Sequence, residues 1–479
     1  MVTSRWSLVV LAAGAAFAAC GGKLEPVDTE PPTPIAWDRL VVRPDAQTAA
    51  ATRAACGYAR GAMPAETLAE GTPVGADIPI DKIVVVMMEN RSFDHYFGRL
   101  NAFTGRTDVA VAPADATNPD HVGPSPGALH PRRHAPHLCA RDTEHSWAAT
   151  HLEWDGGKMS GFFAASAGDP HVDASMLDRP MWWYDERDLP FYYALASTFA
   201  IADHYHASVL GSTWPNRMYL LAGTSFGRTT NDLPDLSARP FPRADASVLD
   251  LLTRRHVPWM LFADGASGGA TVHGSALATR WGHRHVASVQ SFLDRAAAGT
   301  LPAVSFVDPD FSHSTTTGQD EHPPADVQLG ERFVAGIVSA LFASPDWGRS
   351  ALFLTYDEHG GYYDHAPPPA ACPPDEHAPV DGRGDPAGFA FDRLGIRVPF
   401  VVVSPWAKPG YVGHATYDHT SVTRFLEAKF RLPALTARDA NAEAPMDLFD
   451  FTRPSFATPP SLPAPPVDAA ELAWCKSSL

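Results

Sequence analysis

Two apolar runs stand out along the chain, because each ends directly in a pair of polar side chains. The runs span residues 83–88 and 351–356, and their pattern predicts strands buried on both faces of a parallel sheet. The polar pairs that follow them are Glu89 with Asn90 and Asp357 with Glu358. Since ligands bind at the carboxyl ends of such strands, the pairs indicate a site. The alternative for the first pair is a strand that ends in a turn, with Asn90 as a helix cap.

Helical and strand patterns alternate through the second half of the chain. Periodic apolar residues predict helices over 246–254, 286–297 and 333–342, and short apolar runs predict strands over 257–262, 303–307 and 398–403. This alternation is typical of an α/β fold around a mostly parallel sheet.

The first residues predict a targeting segment. Arg5 precedes an apolar run from Leu8 to Phe17, and small residues then lead to Cys20. Such a run is too short to cross a bilayer as a helix, so residues 1–19 are interpreted as a signal peptide. The sequence before Cys20 is similar to a bacterial lipobox. We therefore expect an exported, membrane-tethered lipoprotein of a bacterial envelope, periplasmic or at the cell surface, with plain secretion as the alternative.

Composition divides the remainder into three parts. Residues 20–77 are rich in Pro, Ala and Gly and predict a tether followed by irregular structure. Residues 78–451 carry the strand and helix patterns and are expected to form the catalytic domain. Residues 452–479 begin with a Pro-rich stretch and are expected to form a surface tail.

Charge and cysteine content narrow the possible partners. The formal net charge of −17 is spread along the 479 residues, which argues against binding to nucleic acid. It does not exclude a phosphate-bearing substrate, because a metal ion reverses the field of a pocket. In an oxidising compartment the cysteines after residue 20 would form two disulfides in any of three pairings, between which the sequence does not choose. These cysteines are Cys56, Cys139, Cys372 and Cys475.

Adjacent buried carboxylates such as Asp357 and Glu358 repel each other unless a cation neutralises them. A metal site is therefore the simplest explanation of the two polar pairs. Carboxylate and amide ligands favour a hard cation, Ca²⁺, Mg²⁺ or Mn²⁺, over Zn²⁺.

A second candidate is the start of a helix near Pro215. Ser212 or Thr213 is its natural cap, and capping alone would explain both hydroxyls. The same position supplies backbone donors and the positive end of the helix dipole, which stabilise an alkoxide or a phosphoryl group. Arg217, one turn further on, would reach phosphate oxygens. Imidazoles occur at His145 and His322, although His145 by itself is more typical of a structural histidine.

Five motifs in order resemble the phosphoesterase family, which includes non-specific phospholipases C and bacterial acid phosphatases. They lie at residues 89–94, 213–217, 320–323, 355–361 and 417–421. The resemblance implies an alkaline-phosphatase-like three-layer α/β sandwich with a central, mostly parallel sheet. It implies metal ligands at Glu89, Asn90, Asp357 and Glu358, and a nucleophile at Thr213.

The resemblance further implies catalytic roles for His145, His322 and Arg217, and substrate contacts for Asn216, Glu321 and His359. It implies a phosphothreonine mechanism that acts on a phospholipid, as a phospholipase C does, or on soluble phosphomonoesters, as an acid phosphatase does. A third possibility is a surface lipoprotein that keeps the fold as a binding scaffold without turnover. Head group, native metal and oligomeric state stay open.

Overall fold

A computed structural model of the protein describes residues 41–123, 125, 127–167, 176–232, 246–264, 282–311 and 316–479. The predicted signal peptide and Cys20 lie outside these residues. Within the described ranges, no helix is both long enough and apolar enough to cross a bilayer.

A sheet of eight strands forms the centre of the described structure. Its order is β12-β6-β11-β10-β1-β9-β7-β8, and only β11 runs antiparallel to its two neighbours. The strands are β1 (Lys82–Met88), β6 (Ala200–Ala202), β7 (Trp259–Phe262), β8 (Val286–Ala287), β9 (Val304–Val307), β10 (Ser350–Tyr356), β11 (Phe400–Val403) and β12 (Val412–Gly413). Two small sheets pair β2 (Thr117–Pro119) with β3 (Leu129–Pro131) and β4 (Arg133–His134) with β5 (Trp182–Trp183).

Fourteen α-helices occur in the described ranges. They are α1 (Ala46–Ala54), α2 (Pro64–Thr67), α3 (Phe93–Phe97), α4 (Leu100–Thr104), α5 (Trp147–Trp154), α6 (Phe162–Ser166), α7 (Pro190–Thr198), α8 (Thr213–Ala222), α9 (Val248–Arg254), α10 (Val289–Ala298), α11 (Val327–Phe342), α12 (His419–Phe430), α13 (Ala437–Ala440) and α14 (Ala469–Ser478). Helices α8, α9 and α12 form one group and α7, α10 and α11 another, and both groups contact the sheet.

The two central strands are buried along almost their whole length. All seven residues of β10 are buried, and in β1 only Lys82 is partly exposed. Branched and aromatic side chains suit this position because they pack well on a pleated surface covered on both sides. The predicted α/β fold with a mostly parallel sheet between helical layers is confirmed.

The pairing of β1 with β10 positions the two polar pairs. The strands are parallel, and Met88 lies opposite Tyr356 at their carboxyl ends. Asp357, the residue that follows β10, donates its backbone N–H to the Met88 carbonyl at 3.1 Å. Two segments 268 positions apart in sequence therefore end at the same point of the sheet.

Both chain ends have more regular structure than the sequence predicted. The segment before residue 78 contains α1, and Cys56 just after it forms a disulfide with Cys372. The proline-rich stretch near the C-terminus is followed by α14, where Cys475 bonds to Cys139. The predicted helix over 286–297 begins later, at Val289, because residues 286 and 287 form the edge strand β8.

Candidate active site

The polar pairs meet in a buried cluster at the carboxyl ends of β1 and β10. Glu89, Asn90, Asp357 and Glu358 are each at most 1% exposed. Asp357 is fixed by its Oδ1 atom, which accepts the backbone N–H of Asn90 at 3.1 Å and of Glu358 at 2.8 Å. Asn90 adopts a left-handed backbone with φ of 60°, which Asn tolerates better than most residues and which turns the chain sharply out of β1.

Three oxygens of this cluster are buried and accept no hydrogen bond from any residue that the structure describes: Asn90 Oδ1, Asp357 Oδ2 and Glu358 Oε1. A buried acceptor without a donor is costly, and native structures contain few of them. All three belong to residues predicted as metal ligands, and oxygens are the donors that hard divalent cations prefer. The residues present therefore fit a divalent cation.

Among the described residues, Arg217 is the arginine whose guanidinium contacts the carboxylates of this cluster. Its Nη2 and Nε atoms donate to Glu89 Oε1 at 2.8 and 3.1 Å, and Nε lies 3.7 Å from Asp357 Oδ2. Nη1 makes no hydrogen bond within the described ranges. The sequence predicted that Arg217 would bind phosphate oxygens. In the structure its Nε and Nη2 atoms donate to Glu89 instead, and only Nη1 makes no hydrogen bond within the described ranges.

The carboxylates differ in the direction of their pKa shifts. Burial, opposed by Arg217, raises the pKa of Glu89 to about 8. Burial and the neighbouring Glu89 raise the pKa of Asp357 well above its usual range. Burial also acts on Glu358, but the attraction of His145 and the hydrogen bond from His359 outweigh it and lower its pKa. The protein thus concentrates more acidic groups here than its own cations neutralise.

Thr213 is the first residue of α8, whose N-cap is Ser212. The Ser212 side chain makes no capping hydrogen bond to the described backbone, so the capping role that would explain a hydroxyl here is not observed. Residues four apart share a helix face, so Thr213 lies on the same face of α8 as Arg217, whose guanidinium contacts Glu89. A hydroxyl at this end of a ten-residue helix lies in the positive field of the helix dipole.

Asn216 does not face the cluster as a substrate contact. Its Oδ1 atom accepts the backbone N–H groups of Ser208 and Val209 at 2.9 and 3.0 Å. Its Nδ2 atom donates to carbonyls of the same loop, including that of Gly211 at 2.9 Å. Both polar atoms of the Asn216 amide form hydrogen bonds to the loop that leads into α8. Asn216 therefore stabilises this loop, which corrects its predicted role as a substrate contact.

His145 borders the cluster directly. Its Nδ1 atom lies 2.7 Å from the Thr143 carbonyl, and its Nε2 atom lies 3.3 Å from Asn90 Nδ2 and 3.8 Å from Glu358 Oε1. Burial by itself would lower the pKa of His145, but the carboxylates of Glu358 and Asp142 raise it to about 10. His145 is therefore suited to hold a proton at neutral pH beside the site.

His322 faces His145 across the mouth of the cluster, with ring centroids 6.0 Å apart. Nitrogens of both imidazoles and a carboxylate oxygen of Asp142 lie within 4.8 Å of one another. Asp142, which the sequence analysis did not select, thus joins two predicted catalytic histidines. Its position three residues before His145 was the available signal.

His359 supports Glu358 from below. Its Nδ1 atom lies 3.3 Å from Glu358 Oε2, and its Nε2 atom lies 2.7 Å from Glu153 Oε2. Although burial opposes it, the attraction of Glu153 is strong enough to raise the pKa of His359 to about 9. His359 is only 1% exposed and orients Glu358, a predicted metal ligand. This orienting contact stands in place of the predicted contact between His359 and the substrate.

Glu321 is also buried beneath the surface, where three tyrosine hydroxyls donate to its carboxylate. Tyr192 donates to Oε1 at 2.6 Å, and Tyr96 and Tyr356 donate to Oε2, each at 2.7 Å. The backbone of Glu321 is left-handed, with φ of 72°. Glu321 is fully buried and saturated with donors, so the predicted substrate contact is wrong; we call this group the tyrosine cage.

Two further residues at the cluster were missed by the sequence analysis. Asp308 follows β9 directly, and its Oδ1 atom lies 3.6 Å from Arg217 Nη1. His419 donates from Nε2 to the Asp357 carbonyl at 2.7 Å, and burial lowers its pKa to about 3, so it donates as a neutral imidazole. The signal for Asp308 was the strand-end position that also selected Glu89; His419 lies in the motif of residues 417–421, which marked the segment but not the contact with Asp357.

The arrangement combines a buried oxygen-rich cluster with a hydroxyl at a helix N-terminus and a protonated imidazole. The oxygens suit a divalent cation, the hydroxyl lies where an anion would be stabilised, and the imidazole is placed to supply a proton. These are the parts that transfer of a phosphoryl group to a side-chain oxygen requires.

Comparison with known proteins agrees with this chemistry. The model of the phosphoesterase family matches residues 80–433. The chain is 32% identical over 434 residues to phospholipase C A of Mycobacterium tuberculosis, covering 81% of this chain and 80% of that protein. It is 33% identical over 384 residues to non-specific phospholipase C1 of Arabidopsis thaliana, covering 76% and 69%.

A solved structure is similar at much lower identity. It is described as a protein in the alkaline phosphatase superfamily from Vibrio parahaemolyticus, with a TM-score of 0.36, 10% identity and coverage of 70% of this chain and 73% of that one.

Proposed function

This chain belongs to the phosphoesterase family and is a hydrolase of phosphoric esters, and from that premise we propose that it acts as an exported, metal-dependent phospholipase C on glycerophospholipids. The observation that carries the proposal is the set of three buried oxygens without donors beside the helix that begins with Thr213. Relatives named phospholipase C in a bacterium and in a plant support the choice of substrate. The signal-peptide pattern before Cys20 supports export.

The metal would be held by Glu89, Asn90, Asp357 and Glu358. When bound, it supplies positive charge that stabilises an alkoxide and the phosphoryl oxygens. Arg217 keeps Glu89 in place, and its Nη1 atom lies 3.6 Å from Asp308 Oδ1.

In the proposed reaction the Thr213 hydroxyl gives its proton to water, and its oxygen bonds to phosphorus as the bond from phosphorus to the glycerol oxygen breaks. The departing oxygen takes a proton from His145 or His322, which releases diacylglycerol. Water then cleaves the phosphothreonine, returning Thr213 and releasing the phosphorylated head group. The Nε2 atom of His145 lies 3.8 Å from Glu358 Oε1, which places this imidazole beside the proposed metal ligands.

Substrate preference is tested by comparing hydrolysis of phosphatidylcholine and p-nitrophenyl phosphate by the purified protein, with and without chelator. We expect faster release of diacylglycerol than of nitrophenol, and loss of both after chelation. Fast cleavage of the monoester with an untouched lipid would make the protein a phosphatase. Metal binding without hydrolysis of either compound would favour a scaffold.

The intermediate is tested separately. Thr213→Ala should abolish turnover while leaving the unfolding midpoint nearly unchanged, and wild-type protein quenched with acid during turnover of phosphatidylcholine should carry phosphocholine on Thr213 by mass spectrometry. Ser212→Ala is the matched control, because Ser212 is adjacent and its side chain makes no capping bond. Full activity of Thr213→Ala would exclude this nucleophile.

A further inference from the structure

A cavity of about 270 Å³ lies beside the helix that begins with Thr213. One wall is Val209, in the loop that leads into that helix, and another is Trp147, two residues after His145. Trp147 packs against this loop so closely that a Cβ atom built on Gly211 would lie 3.2 Å from the indole. The cavity is therefore lined by the loop that leads into the helix of the proposed nucleophile and by the helix that follows the proposed acid.

Four aromatic rings line the cavity, those of Trp147, His151, Trp154 and Phe389. His151 stacks on Phe389 with ring centroids 3.7 Å apart, and burial lowers the pKa of His151, so it is a neutral ring at pH 7. The indole N–H of Trp147, a residue 6% exposed, has no acceptor among the described residues. Apolar walls with a few polar groups are typical of ligand sites.

Phe389 is unusual in both its backbone and its exposure. Its φ is 57°, in the left-handed region that bulky residues rarely adopt, and 63% of it is exposed. Leu152, on the helix that also carries His151 and Trp154, is 41% exposed. A strained backbone that holds an aromatic ring in solvent is a feature found at functional sites.

Charge at the cavity selects which part of a phospholipid would enter. The Arg393 guanidinium lies 4.5 Å from the ring centroid of Trp154 and donates to the Pro368 carbonyl at 2.8 Å. This resident cation covers the face of Trp154 that a quaternary ammonium would need, and Asp392, which also lines the cavity, balances its charge. A cavity with balanced charge suits the neutral end of the lipid, whose ester carbonyl is an acceptor of the kind that the Trp147 indole lacks.

We propose that the aromatic pocket, lined by Trp147, His151, Trp154, Val209, Leu210 and Phe389, receives the ester end of the acyl chains, while Phe389 and Leu152 contact the lipid surface. The inference rests on the proposed phospholipase C function and specifies its substrate as a long-chain lipid in an assembled layer. The exposed side chains of Phe389 and Leu152 insert from water into that layer because burial of apolar surface is favourable. Their insertion brings the phosphodiester to Thr213.

The test compares hydrolysis of dioleoyl phosphatidylcholine vesicles with that of dibutyroyl phosphatidylcholine as a monomer. Phe389→Asn removes the ring and retains a residue that tolerates positive φ. We expect at least a tenfold fall in kcat/KM on vesicles and less than a twofold change on the monomer. Phe103→Asn is the control, since Phe103 is 42% exposed and is not part of the pocket; Phe389→Trp should restore vesicle hydrolysis.

Binding is measured independently of turnover by sedimenting Thr213→Ala with the same vesicles, with and without Phe389→Asn. Loss of sedimentation only in the double variant supports the proposal. Equal vesicle binding, or equal falls in kcat/KM on both lipids, would overturn it. If the wild type hydrolyses neither diester, the proposed phospholipase function fails, and sedimentation still decides whether Phe389 contacts lipid.

Discussion

The cluster at the carboxyl ends of β1 and β10 and the tyrosine cage both bury carboxylates completely, but they supply these carboxylates with different numbers of hydrogen-bond donors. In the cage, Glu321 accepts hydrogen bonds from three neutral hydroxyls. In the cluster, Asp357 and Glu358 each keep one oxygen without a donor within the described structure. A buried carboxylate that is saturated with donors needs no ligand, whereas one that lacks donors is retained at a cost in stability. Burial is therefore the same in the two groups and the supply of donors differs, although buried acids elsewhere, such as Glu331 and Glu427, also keep an oxygen without a donor within the described structure.

The largest effect is expected from Asp357→Asn, which removes one charge from the cluster. Activity should fall by roughly 10²–10⁴-fold, because the metal contributes several kcal/mol of charge stabilisation and each 1.36 kcal/mol is a factor of ten. The metal-stripped variant should be at least as stable as the stripped wild type, since the lost carboxyl is one whose pKa is raised by burial. Steady-state rates and urea unfolding in chelator measure the two effects.

Glu321→Gln is the matched control, because it removes a charge from the cage without touching the predicted ligands. Its activity should stay within an order of magnitude of wild type. A loss as large as that of Asp357→Asn would show that burial, and not the absence of donors, determines which acids are functional.

Glu321→Ala should have the largest effect on stability. It leaves three buried hydroxyls without their acceptor and opens a cavity, so the free energy of unfolding should fall by about 3 kcal/mol or more. Urea titration measures this value. Unchanged stability would mean that the cage contributes nothing to the fold.

Gly330→Ala tests the packing of the cage from the neighbouring helix. A Cβ atom at Gly330 would lie 2.1 Å from Glu321 Cγ, so the side chain must move. We expect a loss of about 1–3 kcal/mol, as for other overpacked sites. Gly336→Ala in the same helix is the control: nothing lies within 4 Å of its Cβ, and better helix propensity should raise stability slightly.

The smallest effect concerns pH. Burial raises the pKa of Glu321 to about 7, above its unfolded value, so the folded protein holds this proton more tightly than the unfolded chain. The contribution of Glu321 is therefore fully present below about pH 4 and is lost as pH rises toward 7. In Glu321→Gln the fall in Tm between pH 5 and 8 should be smaller by a few degrees. An identical fall in both proteins would contradict the assignment.

The sequence indicated the parts of the fold and site that depend on local pattern. The runs before Glu89 and Asp357 predicted the two central strands, because strands buried on both faces are continuously apolar. The five ordered motifs predicted the family that the comparisons confirm. The helix that begins with Thr213 was predicted from Pro215, which fits the first helical turn.

Only the tertiary structure decided which partner each polar group has. It paired Cys56 with Cys372 and Cys139 with Cys475, a choice among three that spacing leaves open. It placed Glu321 among tyrosines from three separate segments and used the whole amide of Asn216 on a loop. Periodicity records how a residue faces its own helix or strand, whereas hydrogen-bond partners distant in sequence are fixed when the elements pack together.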